Sequence, residues 1–509
     1  MAPPVGEMDA NSWYSFARRK AKENPESAYG RLVALPFVDE ANMIVNRSTL
    51  MPADESSSME LQFIGTASCI PGITRGVSCT AIRRNGAFMV FDAGEGTQKL
   101  MQESSVTVTK IQRIFVTHVH GDHTFGLAGL LCLTGQEVDR SGPPVDVYGP
   151  VGLRGYLRAS LQLTASRIAA PYRVHELVGV PWCMPLPAHR SPPPVPDVGL
   201  SLDGRYGEQP GGRDIVADAD GCWTLVDEAC GIGAVEYEPG GLGKAKGGGK
   251  GAMGQQQWAA ERAEPRAESG RPPRGKRGEA FPSTSHDGHV LVRAAPMVHS
   301  VPCVGFVVTE APRLGRLNDG LVTPLIKANA AALRAKGYSE PLKLKQAFKK
   351  MKPGDAFTFP DGAVLTGRDA VSPPRQGRAV VICGDTADAS ALAPLVGPGG
   401  CDVLVHEATN AFLPGMDKGT SFSEVRRNSA RHGHSTPESA GAFAKRIGAR
   451  RLVLHHFSPR YKGDAHALSV LNMLRIEDLA SAAAGLPPEK VHAAWDLSTL
   501  PVPIRDELL

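Results

Sequence analysis

The chain has 509 residues, with 56 Lys+Arg against 52 Asp+Glu and 42% hydrophobic residues, which allows two to four domains or one large domain swollen by insertions. A formal charge of +4 is too small for a dedicated nucleic-acid binder, so any RNA or DNA contact must come from local patches. Nine scattered Cys without a CxxC pair argue against a disulfide framework or a Cys-based zinc finger and for an intracellular, reducing compartment, and no run of 18 apolar residues is present for a spanning helix.

Residues 1–58 read as an N-terminal extension, with a helix-compatible stretch from Trp13 to Lys22, expected to be partly disordered and to pack weakly. Glu7 and Asp9, with no apolar stretch beside them, speak against a secretory signal. Ordered structure is expected from about Glu60: LQFIGTASCI, CTAIRR and AFMVFDAG are short runs rich in Val, Ile and Phe, and Asn85-Gly86 between two of them signals a hairpin. KLMQES fits a helical turn and Ile111 to Thr117 a buried strand.

From Met184 to Ser285, 31 of 102 residues are Gly or Pro, the level at which composition reads as disordered. This is taken as an insertion at 184–285, with an alternating island at 212–228 expected to form a hairpin within it. Order resumes at His289. The strands RAVVICGD (378–385), CDVLVHEAT (401–409) and RLVLHHF (451–457) follow, with a helix at 438–448 before the last. Strands alternating with helices imply an α/β or α+β sandwich.

The chemistry concentrates at Thr117-His118-Val119-His120-Gly121-Asp122-His123, where an apolar strand gives out into a loop. Imidazoles and a carboxylate at this spacing are zinc donors. In extended backbone His118 and His120 point the same way, while the turn at Gly121 lets Asp122 and His123 face a second position. Two metals need about seven or eight protein ligands. Further donors stand at the ends of later strands: His299, Asp385, and either His455 or His456.

FIGTASCIPGITRGVS, FDAGEGTQ, HVHGDH, VYGPVGL, VHSVPCVGF, GDT, HEAT, GHST and LHHFSPRY, in this order over about residues 60–465, resemble the motif set of the ribonuclease Z family. These are tRNA 3′-processing endonucleases of the metallo-β-lactamase superfamily, here in the short, ELAC-type form. The resemblance implies an αββα sandwich with two Zn2+ per subunit. His118, His120 and His299 would hold one zinc and Asp122, His123 and His456 the other, with Asp385 bridging. His456 is preferred to His455 because it matches the family's THxS pattern. Asp92 would orient a ligand imidazole, as metal-bound His requires. Asp122 would also take the proton of the attacking water, and His434, oriented by Glu407, would protonate the leaving oxygen. His406 is expected to be structural. The products would be a 3′-hydroxyl on the tRNA and a 5′-phosphate on the trailer.

The resemblance further implies a tRNA-binding arm at 311–354 whose basic tip carries Lys349, Lys350 and Lys352, available for phosphates. The family's Gly-Pro before the tip is replaced here by Lys345-Gln346. Precursor tRNA is the expected partner, with no membrane and a homodimer, in the cytoplasm or nucleus or else in an organelle. The main body, 59–183 with 286–500, is expected to be one catalytic domain. Two other readings are a phosphodiesterase of the same scaffold acting on other RNA ends or small diesters, and an inactive RNA-binding relative.

Overall fold

The computed structural model describes residues 10–39, 41–46, 49–51, 57–137, 142–184, 198–229, 289–312, 315–373 and 375–505. Two sheets form its centre. The first has eight strands in the order Ser498–Pro501, Met59–Gly65, Cys79–Arg84, Ala87–Phe91, Ile111–Phe115, Val145–Pro150, Tyr172–Val178 and Asp214–Val216. The second has seven: Trp223–Asp227, Val290–Pro296, Val304–Glu310, Ala379–Ile382, Val403–Glu407, Leu452–His455 and Val491–Ala493. Each sheet begins with antiparallel pairs and ends with a parallel run. Parallel strands put their carboxyl ends on one side, which is where ligands bind in such sheets.

Alternation along each strand assigns its two faces. Phe91, Phe115 and Tyr148 turn towards the second sheet and join Phe306 in one apolar cluster. Their rings stack in series, Phe91 on Phe115 and Phe115 on Tyr148, each pair at 5.0 Å. Val90, Ile114 and Val116 turn the other way, into a cluster with Leu127, Leu130, Leu131, Leu153 and Leu157. Those leucines come from the helices Leu127–Glu137 and Leu153–Leu163. The helices Pro437–Arg446 and Ala467–Ala484 cover the second sheet, so the layers run helix, sheet, sheet, helix. Asn85 and Gly86, both at positive φ, close the expected hairpin between Arg84 and Ala87.

Three expectations about organisation need correction. The N-terminal extension packs firmly where it is described: the helices Ala10–Glu23 and Ala28–Ala34 bury Ala17, Ala28 and Leu32 in the main core. Arg31 pins them to the helix Ala467–Ala484, its guanidinium 2.7 Å from both Glu477 and Asp478. The island at 212–228 is no hairpin. Asp214–Val216 pairs with Tyr172–Val178 in the first sheet, and Trp223–Asp227 pairs with Val290–Pro296 in the second. The chain crosses between sheets at a tight turn, and buried Trp223 fixes the crossing by donating from Nε1 to the carbonyl of Val178, 3.1 Å. Residues 198–229 therefore belong to the sandwich, while the stretches 185–197 and 230–285 of the expected insertion lie outside the described residues.

The arm also runs further than 354. Residues 315–373 build a unit of helices (Asp319–Ala328, Ala330–Ala335, Leu344–Phe348, Gly367–Ala370) and a hairpin, Ala356–Thr358 with Val364–Thr366. Val322, Ile326, Leu333, Phe348, Phe359, Leu365 and Ala370 form its own core. The hairpin is needed because Phe357 and Phe359 pack against Phe348, so the unit closes only after the lysine-rich tip. Its neck is narrow: Leu317 bridges Val371, and Arg316 and Ser372 exchange hydrogen bonds.

Candidate metal centre

The loop after Ile111–Phe115 and the short helix Gly121–Thr124 carry His118, His120, Asp122 and His123. Their backbone lies hard against the loop after Ala87–Phe91. A Cβ on Gly94 would fall 2.2 Å from the carbonyl oxygen of Asp122, so a side chain there would displace the ligand loop. Asp385 follows Ala379–Ile382, His456 follows Leu452–His455, and His299 follows Val290–Pro296. All seven side chains converge from the ends of four strands.

They fall into two groups, each with its donor atoms within 4.8 Å of one another: His118, His120 and His299, and Asp122, His123, Asp385 and His456. In the first, His118 Nε2 lies 3.1 Å from His120 Nδ1, which lies 3.3 Å from His299 Nε2. In the second, His123 Nε2 and His456 Nε2 are 3.3 Å apart, and Asp122 Oδ2 is 3.3 Å from His456 Nε2. Asp385 reaches both groups, with Oδ2 3.3 Å from His456 Nε2 and 3.8 Å from His118 Nε2, and Oδ1 3.5 Å from His123 Nε2. His456 rather than His455 takes part; His455 is buried outside both groups.

The donor set fits metal. A neutral imidazole carries one proton, and three of these rings spend theirs away from the centre. His123 Nδ1 faces Asp92 Oδ2 at 2.7 Å, His299 Nδ1 donates to the carbonyl of Gly433 at 2.9 Å, and His456 Nδ1 faces Thr409 Oγ1 at 2.9 Å. The nitrogens turned inwards are thus lone pairs crowded around a buried carboxylate, and Asp385 Oδ1 has no hydrogen-bond partner. Only a cation relieves that arrangement. Burial pushes His118 well down. Burial, with His299 beside it, takes His120 to about 4. Burial works against ionised Asp122, yet its close contacts with His456 and the other nearby imidazoles hold it well below the usual carboxylate range.

The surrounding shell is equally built. Asp92, held at positive φ, accepts from the backbone N–H and hydroxyl of Thr117 as well as facing His123. Gly433 sits at φ +77 against His299, where a Cβ would meet Nδ1 at 2.5 Å. The backbone N–H of Cys69, also at positive φ, donates to Asp122 Oδ2 at 2.6 Å.

His434 and Glu407 adjoin the cluster. His434 Nδ1 faces Glu407 Oε1 at 3.0 Å, and its ring lies 5.2 Å from that of His299. Burial would depress His434, but Glu407 lifts it to about 9. His406 turns away as expected, donating to the carbonyl of Glu407 and packing on Phe443. Thr409 and the Cys69 amide were not singled out from the sequence, since a hydroxyl or backbone N–H carries no pattern of its own. Lys349, Lys350 and Lys352 are exposed on the arm and are not part of the cluster.

Residues 72–216 match the Metallo-beta-lactamase superfamily. The chain is 30% identical over 467 residues to the zinc phosphodiesterase ELAC protein 1 of Mus musculus, covering 88% of this chain and 99% of that relative. It is 28% identical over 407 residues to the ribonuclease Z of Streptococcus suis, covering 79% and 90%. Among solved structures it is similar to human tRNase Z, short form, at 23% identity and a TM-score of 0.46, over 87% of this chain and 100% of that one.

Proposed function

We propose a division of labour among these residues for a chain that belongs to the ribonuclease Z (ELAC) family of zinc phosphodiesterases and is a metal-dependent endoribonuclease acting at the 3′ end of precursor tRNA. Two zinc ions, one on His118, His120 and His299 and one on Asp122, His123 and His456 with Asp385 shared, would supply Lewis acidity and an acidified water. The observation that carries this reading is the two-part donor cluster around the unpartnered Asp385 Oδ1.

Asp122, aimed by the Cys69 N–H, takes the proton as the water oxygen bonds to phosphorus. The bond from phosphorus to the 3′ oxygen breaks, and His434, charged beside Glu407, gives its proton to that oxygen. The products are a 3′-hydroxyl and a 5′-phosphate, and no side-chain nucleophile is used. Asp92 keeps the His123 ring in place. Lys349, Lys350 and Lys352 hold tRNA phosphates away from the chemistry. The same reading takes the described sandwich as one catalytic domain and includes pairing of two copies.

Incubating metal-loaded protein with a 3′-extended precursor tRNA and mapping the cut tests the proposal. A single cut at the trailer boundary, lost with EDTA and with Asp122→Ala, is expected. Failure to cleave, or equal cleavage of unstructured RNA, refutes it.

A further inference from the structure

One buried hydroxyl touches both the metal-ligand cluster and the acid. Thr409, 5% exposed, follows the strand Val403–Glu407. Its Oγ1 lies 2.5 Å from Glu407 Oε2, 2.9 Å from His456 Nδ1 and 3.4 Å from His434 Nδ1. We infer that Thr409 is a positioning residue that ties the ligand His456 and the acid His434 into one hydrogen-bonded chain.

The direction of the chain follows from counting protons. His456 Nε2 is the nitrogen aimed at the metal position beside Asp122 and Asp385, 3.3 Å from each; with that nitrogen given to a metal, the ring's proton would sit on Nδ1 and be donated to Thr409. A hydroxyl has one proton to give. The carbonyl of His456 is a competing acceptor at 3.0 Å, but a carboxylate at 2.5 Å is the stronger one, so Thr409 donates to Glu407 Oε2. The other oxygen, Oε1, then accepts from the N–H of Thr386, 2.8 Å, and from His434 Nδ1. Glu407 is fully buried, and its rotamer is held at both oxygens.

Loss of the hydroxyl has two consequences at once. His456 loses the acceptor that fixes its tautomer, and a proton moved to Nε2 would block the nitrogen aimed at the metal. Glu407 Oε2 keeps only the longer bond from the backbone N–H of Thr409, 3.3 Å, and loses the short one that helps present His434 to the leaving oxygen. A threonine serving only to pack would be replaced by Val without either effect.

This inference rests on His434 acting as the acid, and the test separates the two. Thr409→Val, Thr409→Ser and His434→Ala would be compared for zinc affinity by chelator competition. At saturating zinc they would then be compared for turnover of precursor tRNA and of bis(p-nitrophenyl) phosphate, whose leaving group needs no proton. Thr409→Val should lose about 10–100-fold in zinc affinity, the cost of removing a ligand's hydrogen-bond partner. It should also lose about 100-fold or more on precursor tRNA, with a much smaller loss on the activated diester. Thr409→Ser should restore both. Unchanged affinity in Thr409→Val, or equal losses on the two substrates, overturns the inference. If His434→Ala shows no selective loss on RNA, the acid assignment falls, and this inference falls with it.

Discussion

The metal centre and the arm solve opposite problems with opposite means. The centre is assembled from four strand ends, its side chains are buried or half-buried, and nearly every donor is fixed by a second hydrogen bond, such as Asp92 on His123 or Gly433 on His299. The arm has its own small core, a narrow neck and lysines left in solvent. Displacing a phosphodiester needs groups held to a fraction of an ångström, whereas gripping the backbone of a folded RNA needs charge more than position. The difference predicts which substitutions change chemistry and which change only capture.

The largest effect should come from Asp385→Ala, which removes the one carboxylate facing both groups. It should strip metal from the protein and abolish cleavage, exceeding the roughly 10–100-fold cost of losing a ligand's hydrogen-bond partner; metal content by plasma mass spectrometry checks the first half. Retention of a full metal complement would mean that the two groups are independent. Next is His434→Ala, expected to lower kcat on precursor tRNA by about 10²–10⁴-fold with metal content unchanged.

The same residue gives a pH signature. Glu407 raises His434 to about 9, so the acid is protonated through neutrality and loses its proton as pH rises through that value. Turnover of precursor tRNA should therefore fall on the alkaline side, and bis(p-nitrophenyl) phosphate should lack that limb. A shared limb would assign it to another group.

On the arm, Lys349→Ala, Lys350→Ala and Lys352→Ala should raise KM for precursor tRNA and leave kcat unchanged. Each should reduce the slope of log affinity against log salt by about one, and none should touch the activated diester. A fall in kcat with these variants would erase the distinction between the two regions.

How much could be read from the sequence follows the same divide. The cluster of seven side chains was legible because its residues are chemically unusual and stand where apolar strands end; even the choice between His455 and His456 was made by a neighbouring motif. Partners that act across the chain were not legible. Arg31 and Glu477 are 446 positions apart, so nothing local showed that the N-terminal helices would be anchored. Alternation in 212–228 correctly indicated strands, but a period of two does not say which sheet a strand joins. Trp223 decided that through one hydrogen bond to Val178. The arm's end was misplaced because its core is closed by Phe357 and Phe359, which lie beyond the charged tip that drew attention.

The smallest expected effect concerns the stretch between the last two crossing strands. Trp223–Asp227 and Val290–Pro296 are antiparallel neighbours, with Asp227 opposite Leu291. The N–H of Glu228 donates to the carbonyl of Val290 at 3.1 Å, and the N–H of Val290 returns to the Glu228 carboxylate at 2.9 Å. Both ends of the intervening chain therefore leave from one rung of a ladder, and a short Gly-Ser turn can join them without moving either strand. Loop closure changes slowly with length, by about 0.6 kcal/mol per doubling, so shortening the connection carries no penalty of its own. Replacing residues 230–284 in this way should leave metal content, the RNA cut and the thermal midpoint close to those of the full chain. A protein that no longer folds would show that those residues contribute to the sandwich, and normal folding with weaker RNA binding would make their lysines and arginines a second point of capture beside the arm.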